Sequence, residues 1–198
     1  MMKKRKLLYL HGFNSSPESH KSQLLAAYMT AHGCIEALVS PQIPEVPGEA
    51  GKFLRQLVDE ILTDHDLSVA GSSLGGYYAT WLAETYNLPA VLINPSVKPY
   101  ETLEACLGEN KFYFSDKTWT FDESHIQQLR ELDIPLIQHP ENFLVLLQTG
   151  DETLDYRQAA EKFNRSQCII EQGGDHAFAG FENHIPRLLN FCRIPCNE

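Results

Sequence analysis

Three short stretches of this chain carry residue types that do nucleophilic chemistry. Gly71-Ser72-Ser73-Leu74-Gly75 fits the pattern G-x-S-x-G. A serine between two glycines at that spacing suits a sharp strand-to-helix turn, because the flanking positions must lack Cβ for strand and helix to approach each other. The turn exposes the hydroxyl, and the helix behind it offers free N–H groups to a developing anion. Ser72 does not satisfy the spacing, since Ala70 and Leu74 flank it. A serine nucleophile needs a base and an acid. His176 and Asp151 supply them in Gly173-Gly174-Asp175-His176 and Thr149-Gly150-Asp151-Glu152. A neutral His176 would take the serine proton while Asp151 fixes its tautomer. The backbone amides of Phe13, in His11-Gly12-Phe13, and of Leu74 would hold the oxyanion. The expected site is therefore Ser73, Asp151 and His176, with Phe13 and Leu74 as amide donors and Gly71 and Gly75 as the turn glycines.

Each assignment has a rival. The pentapeptide is also what a Gly/Ser-rich turn between two core elements looks like. His176 is one of eight histidines. Asp155 and Asp175 compete with Asp151 for the acid, although Asp155 suits a helix N-cap and Asp175 adjoins His176 too closely to face its ring. His11 reads as a buried structural hydrogen-bonder.

Apolar strand-like runs alternate with amphipathic helical segments and place these stretches. Strands are expected at Lys6–Leu10, Ile35–Val39, Leu67–Ala70, Ala90–Asn94, Phe143–Thr149 and Gln167–Glu171. Ser16 and Pro17 read as the N-cap and first residue of a helix whose Leu24, Tyr28 and Ala31 share a face. A second helix carries Phe53, Leu57 and Ile61 beside Leu54, Val58 and Leu62. Others are expected after Ser73, over Asp155–Phe163, and over Phe181–Phe191 with a bend at Pro186. Six strands alternating with helices predict an α/β class, a mostly parallel, doubly wound sheet flanked by helices. The serine, Asp151 and His176 all follow strand C-termini, in the order Ser, Asp, His. The segment 95–140 interrupts the alternation and holds a helix capped by Asp122. It leaves from a strand C-terminus, the edge where α/β sites lie, and so reads as a lid-like insertion within a single domain spanning 1–198.

Composition narrows the partners. Net charge is −10, and outside Lys3-Lys4-Arg5-Lys6 the chain has 12 basic against 26 acidic residues. That excess opposes nucleic acid. The apolar run Leu7–Leu10 is too short for a signal peptide, and no stretch reaches the length of a membrane span. Five dispersed cysteines, an odd number, read as reduced thiols and a cytoplasmic setting. No cofactor or metal is called for, and oligomeric state is not readable.

The blocks Leu8-Tyr-Leu-His-Gly-Phe-Asn-Ser-Ser-Pro17, Gly71-Ser-Ser-Leu-Gly-Gly-Tyr-Tyr-Ala-Thr-Trp81, Thr149 to Gln158 and Gly173 to Phe178 resemble those of the small bacterial YqiA-type esterases, within the α/β-hydrolase superfamily. The resemblance implies a compact α/β-hydrolase fold with Ser73, Asp151 and His176 as triad. It also implies activity on carboxylic esters, with acyl-CoA thioesters as a second substrate class. An acyltransferase using the same triad, and a silent binding protein on the same fold, are the competing functions. Phe13, Tyr77 and Tyr78 suggest an apolar acyl pocket; Lys98, Lys111 and Lys117 are the lysines that would meet a CoA phosphate.

Overall fold

The strand residues Leu7–Leu10 are all fully buried, as are the cores of the three strands that follow them across the sheet. Strands apolar on both faces belong in a parallel sheet covered by helices on each side. The computed structural model describes residues 3–197, and there that expectation holds. In chain order the regular elements are β1 (Lys4–Leu10), α1 (His20–Ala31), β2 (Leu38–Val39), α2 (Pro47–Asp64), β3 (His65–Ser73), α3 (Leu74–Tyr86), β4 (Ala90–Pro95) and α4 (Pro99–Thr102). After these come β5 (Gly108–Lys111), β6 (Thr118–Phe121), α5 (Glu123–Glu131), β7 (Phe143–Gln148), α6 (Tyr156–Lys162), β8 (Gln167–Glu171) and α7 (Ile185–Phe191). Six strands pair in parallel in the order β2-β1-β3-β4-β7-β8.

The two-residue period of the strands sorts the core into two layers. Leu8, Leu10, Val69, Leu92, Val145 and Leu147 face α2, α3 and α5, whereas Leu7, Tyr9, Val91, Ile93, Leu144 and Leu146 face α1 and α7. The chain leaves β1 toward one edge and returns through β3 toward the other. The order therefore reverses between β1 and β3, and the crevice beyond their C-termini is where such sheets bind ligands. The basic tetrapeptide is absorbed by structure: Lys3 donates to the last carbonyls of α2, at Leu62 and Thr63, and Arg5 pairs with Asp66.

Several boundaries differ from the sequence reading. α1 begins at His20, because Ser16 and Pro17 are spent in a turn in which the Ser16 hydroxyl and carbonyl accept from the Glu18 and Ser19 amides. Its buried face is Ser22, Leu25 and Met29, adjacent to the expected one. Ile35–Ala37 is a 3₁₀ turn, leaving only Leu38–Val39 as strand. Phe181–His184 is also 3₁₀, so Pro186 opens α7 instead of bending a longer helix. The segment 95–140 holds more than a helix. It contains the antiparallel β5–β6 hairpin, and α5 with a complete capping box between Asp122 and His125. The α5 helix docks on α2 and α3, where the Tyr77 hydroxyl donates to Leu129 O and the Gly48 amide donates to Gln128 Oε1. No helix among the described residues is long and apolar enough to cross a membrane.

The cysteine reading needs correction. Cys34 and Cys196 form a disulfide, and Cys106, Cys168 and Cys192 remain free. The bond joins the end of α1 to the C-terminal segment, where the Asn197 amide donates to His32 O. A separation of 162 residues leaves no local spacing to signal it. The inference of a reducing compartment from unpaired thiols loses its basis. Closing so long a loop restricts the unfolded chain, typically by about 2–4 kcal/mol. Cys34→Ser is expected to lower Tm by about 5–15 °C for a chain of this size. Calorimetry with and without reductant checks this, and an unchanged Tm would remove the disulfide from the stability account.

Candidate active site

Ser73 is the last residue of β3 and the cap of α3, with φ of +54° and ψ of −123°. A side chain at positive φ costs about 1–2 kcal/mol, so the surroundings must impose it. They do so largely by backbone. The Ser73 carbonyl accepts from the Ser96 amide at 3.0 Å, and the β3–β4 register slips between Ser72 and Ser73. A Cβ on Gly71 would run into the carbonyl group of Gly75, and one on Gly75 into the carbonyl oxygens of Leu10 and His11. The two glycines thus let α3 start directly against the ends of β3 and β1. Ser72 lies elsewhere: it is buried, with its hydroxyl 3.5 Å from that of Tyr9.

His176 and Asp151 arrive from neighbouring strand ends. With the ring proton on Nδ1, His176 donates to Asp151 Oδ2 at 2.9 Å, and the Ser73 hydroxyl donates to His176 Nε2 at 3.1 Å. The Asp151 side chain is only 2% exposed, while the imidazole is 24% exposed. Burial pushes the Asp151 carboxyl up. Hydrogen bonds from His176, Leu154 N and Thr153 N outweigh it and hold the group below the ordinary aspartate range. The rival acids have other roles or places. Asp155 caps α6 by accepting from the Arg157 amide, and it is Asp151, not Asp175, that the imidazole reaches.

The His176 loop is fastened from beneath by residues that sequence reasoning did not single out. Asn94, at the end of β4, accepts from Gln148 N at 3.0 Å and donates to Asp175 O at 2.9 Å. Gln148, at the end of β7, accepts from Asp175 N and donates to Ala179 O and Glu171 Oε2. Both amides are 3% exposed, so their satisfied hydrogen bonds fix the loop from within the protein. A polar residue at the C-terminal end of an otherwise apolar strand is the signal that could have found them.

The loop after β1 brings Gly12 against the serine, where an added Cβ would lie 3.3 Å from Ser73 Cβ. Among the described residues, the Phe13 amide donates to no backbone carbonyl. His11 is 5% exposed and accepts at Nε2 from the Ile43 amide; burial lowers its pKa, as befits a neutral structural imidazole. A cavity of about 20 Å³ lies beside this loop, with Phe13, Leu74, Tyr78 and Trp119 in its wall. A groove of about 400 Å³ lies outside it, lined in part by Glu18, Glu45, Phe112, Phe114 and Lys117. Tyr77 is not in either wall; its hydroxyl anchors α5. The three lysines do not converge: Lys98 pairs with Glu101, Lys111 pairs with Asp116, and only Lys117 reaches the groove. Among the described residues, no group of three or more metal-ligating side chains comes together.

Comparison with known proteins places the fold and the family. Est1E from Butyrivibrio proteoclasticus, solved with ferulic acid, superposes with a TM-score of 0.67 over 98% of this chain and 91% of its own, at 12% identity. An esterase from Pyrococcus furiosus gives 0.65 over 97% and 82%, at 15% identity. These likenesses are of fold, and the fold is that of the α/β hydrolases. In sequence, the UPF0227 protein YcfP of Salmonella gallinarum is 26% identical over 197 residues, covering 93% of this chain and 97% of its own. YcfP of Escherichia coli O9:H4 is 25% identical over the same shares. The sequence profile of the uncharacterised protein family UPF0227 matches residues 6–193, nearly the whole length over which the serine loop, the His176 loop and the sheet beneath them were traced, and the chain belongs to that family.

Proposed function

We propose that this protein is a serine hydrolase that cleaves carboxylic esters through an acyl-enzyme, with Ser73 as nucleophile, His176 as base and Asp151 as its orienting acid. The observation that carries the reading is the unbroken hydrogen-bond chain from Asp151 through His176 to a serine held at positive φ. In this reading Ser73 Oγ attacks the ester carbonyl carbon while its proton passes to Nε2. Charge developing on the carbonyl oxygen meets the Phe13 and Leu74 amides at the N-terminus of α3, where preorganised donors and the helix dipole favour an anion. His176 returns the proton to the departing alkoxide, then takes one from water for deacylation. The ionised Asp151 stabilises the imidazolium in both steps. The segment 95–140 acts as a partial lid, its hairpin lying over the loop after β1.

Esters are favoured over acyl-CoA thioesters because Glu18 and Glu45 flank the outer groove and Lys117 is the one lysine in its wall. Two carboxylates beside a single ammonium oppose a polyphosphate. The esterases among the structural neighbours support the reading by analogy of fold. Fluorophosphonate is expected to label wild type at Ser73, and Ser73→Ala is expected to lose labelling and about six orders of magnitude in ester hydrolysis. A folded wild-type protein that does not label, or a Ser73→Ala variant that hydrolyses esters normally, would sink the reading.

A further inference from the structure

The residue after Phe13 connects the oxyanion loop to the insertion. Asn14 has φ of +54°, a conformation that asparagine tolerates better than most side chains. From there it makes three hydrogen bonds to the β5–β6 hairpin. Its carbonyl accepts from the Tyr113 amide at 3.0 Å, its Oδ1 accepts from Trp119 Nε1–H at 2.8 Å, and its Nδ2 donates to Asn110 Oδ1 at 3.1 Å. Asn110 is itself oriented, because its amide nitrogen donates to Cys106 O and Gly108 O and so leaves Oδ1 for Asn14. Phe13 packs beneath the same hairpin, 5.9 Å from Trp119 and 5.4 Å from Phe121 between ring centroids. A two-stranded hairpin is marginal by itself, so these contacts decide where it sits.

The seat of the hairpin sets the size of the space beside the oxyanion amides. Trp119 and Phe112 close one side of that cavity, Tyr78 and Leu74 another, and about 20 Å³ remains. This is room for one water-sized group. An acetyl methyl fits such a space, whereas a longer chain would press on Trp119 and Phe112, the hairpin-side residues in its wall that the Asn14 bonds hold in place. We propose that Asn14 clasps the hairpin onto the oxyanion loop as a positioning residue, and that this clasp restricts the enzyme to esters of short, uncharged acyl groups. The inference rests on the serine-hydrolase reading above.

Asn14→Gly separates the clasp from the backbone it sits on, since glycine keeps the positive φ and deletes both side-chain hydrogen bonds. Asn110→Ala removes the acceptor of Asn14 Nδ2 without touching the cavity wall, and it decides the matter if Asn14→Gly does not fold. The assay is kcat/KM for p-nitrophenyl acetate, butyrate and octanoate, with fluorophosphonate labelling of Ser73 followed in parallel. Wild type is expected to favour acetate over octanoate by at least about tenfold. Each variant is expected to narrow that ratio about tenfold, the scale of one or two lost hydrogen bonds, chiefly by gaining octanoate activity. General destabilisation would lower all three esters together and leave the ratio alone. If Ser73 labels but wild type takes octanoate as well as acetate, or neither variant moves the ratio, the clasp proposal is overturned and the hydrolase reading stands. If Ser73 does not label, both fall together.

Discussion

Asp151→Asn is expected to leave the protein folded and to lower kcat for ester hydrolysis about 10⁴-fold, the scale such a change has in triad enzymes. The reason lies in how the carboxylate is held. The Thr153 and Leu154 amides donate to Oδ1 at 2.9 and 2.8 Å, so an asparagine there must direct its carbonyl oxygen toward them. Its NH₂ group then occupies the place of Oδ2, 2.9 Å from His176 Nδ1. Two donors cannot share that contact. The imidazole proton therefore moves to Nε2, the atom that must accept the serine proton, and the base is lost by tautomer instead of by displacement. The neighbouring Asp155→Asn, which changes a helix cap and an exposed pair with Arg157, is the matched control. Steady-state kinetics on both variants checks the argument, and an Asp151→Asn enzyme within tenfold of wild type would refute Asp151 as the orienting acid.

Gly75→Ala is expected to destabilise the fold by more than about 4 kcal/mol, at the extreme of single-substitution effects. The added methyl would meet the carbonyl oxygens of Leu10 and His11. Both are backbone atoms where the chain leaves the fully buried Leu7–Leu10 run of β1, so no side-chain rotation relieves the overlap. Against a typical total of 5–15 kcal/mol, little folded protein should remain. Gly173→Ala is the informative comparison. Its φ is +78°, but nothing lies within 4 Å of an added Cβ, so its cost is the conformational 1–2 kcal/mol alone. Urea midpoints for the two variants separate steric from conformational cost. A Gly75→Ala protein as stable as Gly173→Ala would show that α3 can shift away from β1.

What was legible in the sequence was whatever depends on local pattern. The β8 strand, the Asp122 and Asp155 caps, the turn glycines and the order of Ser73, Asp151 and His176 each rest on a few consecutive residues or on a strand followed by a loop. What was not legible depends on residues far apart. Cys34 and Cys196 meet only because the C-terminal segment returns to the end of α1. Asn94 and Gln148 stand out as polar ends of apolar strands, but what they hold together is set only when the sheet puts β4 beside β7. The hairpin lay between these cases. Thr118-Trp119-Thr120-Phe121 alternates outward and inward, and Ser115-Asp116 supplies turn residues, so its signal was present within a segment read only for its helix.

The Asn14 hydrogen bonds and the turn glycines occupy opposite ends of a scale of replaceability. Reactivity at Ser73 is built from main-chain contacts between β1, β3 and α3, which have no side chain to exchange and couple any change to collapse of the sheet. Selectivity, under the clasp proposed above, would be carried by a hairpin that adds no strand to the six-stranded sheet. Loop length and turn residues in 108–121 are therefore freer to drift than Trp119 and Phe121, which pack on Phe13. A scaffold divided in this way would let substrates diversify without changes to the sheet, and libraries confined to the exposed positions of that hairpin are the natural place to test it.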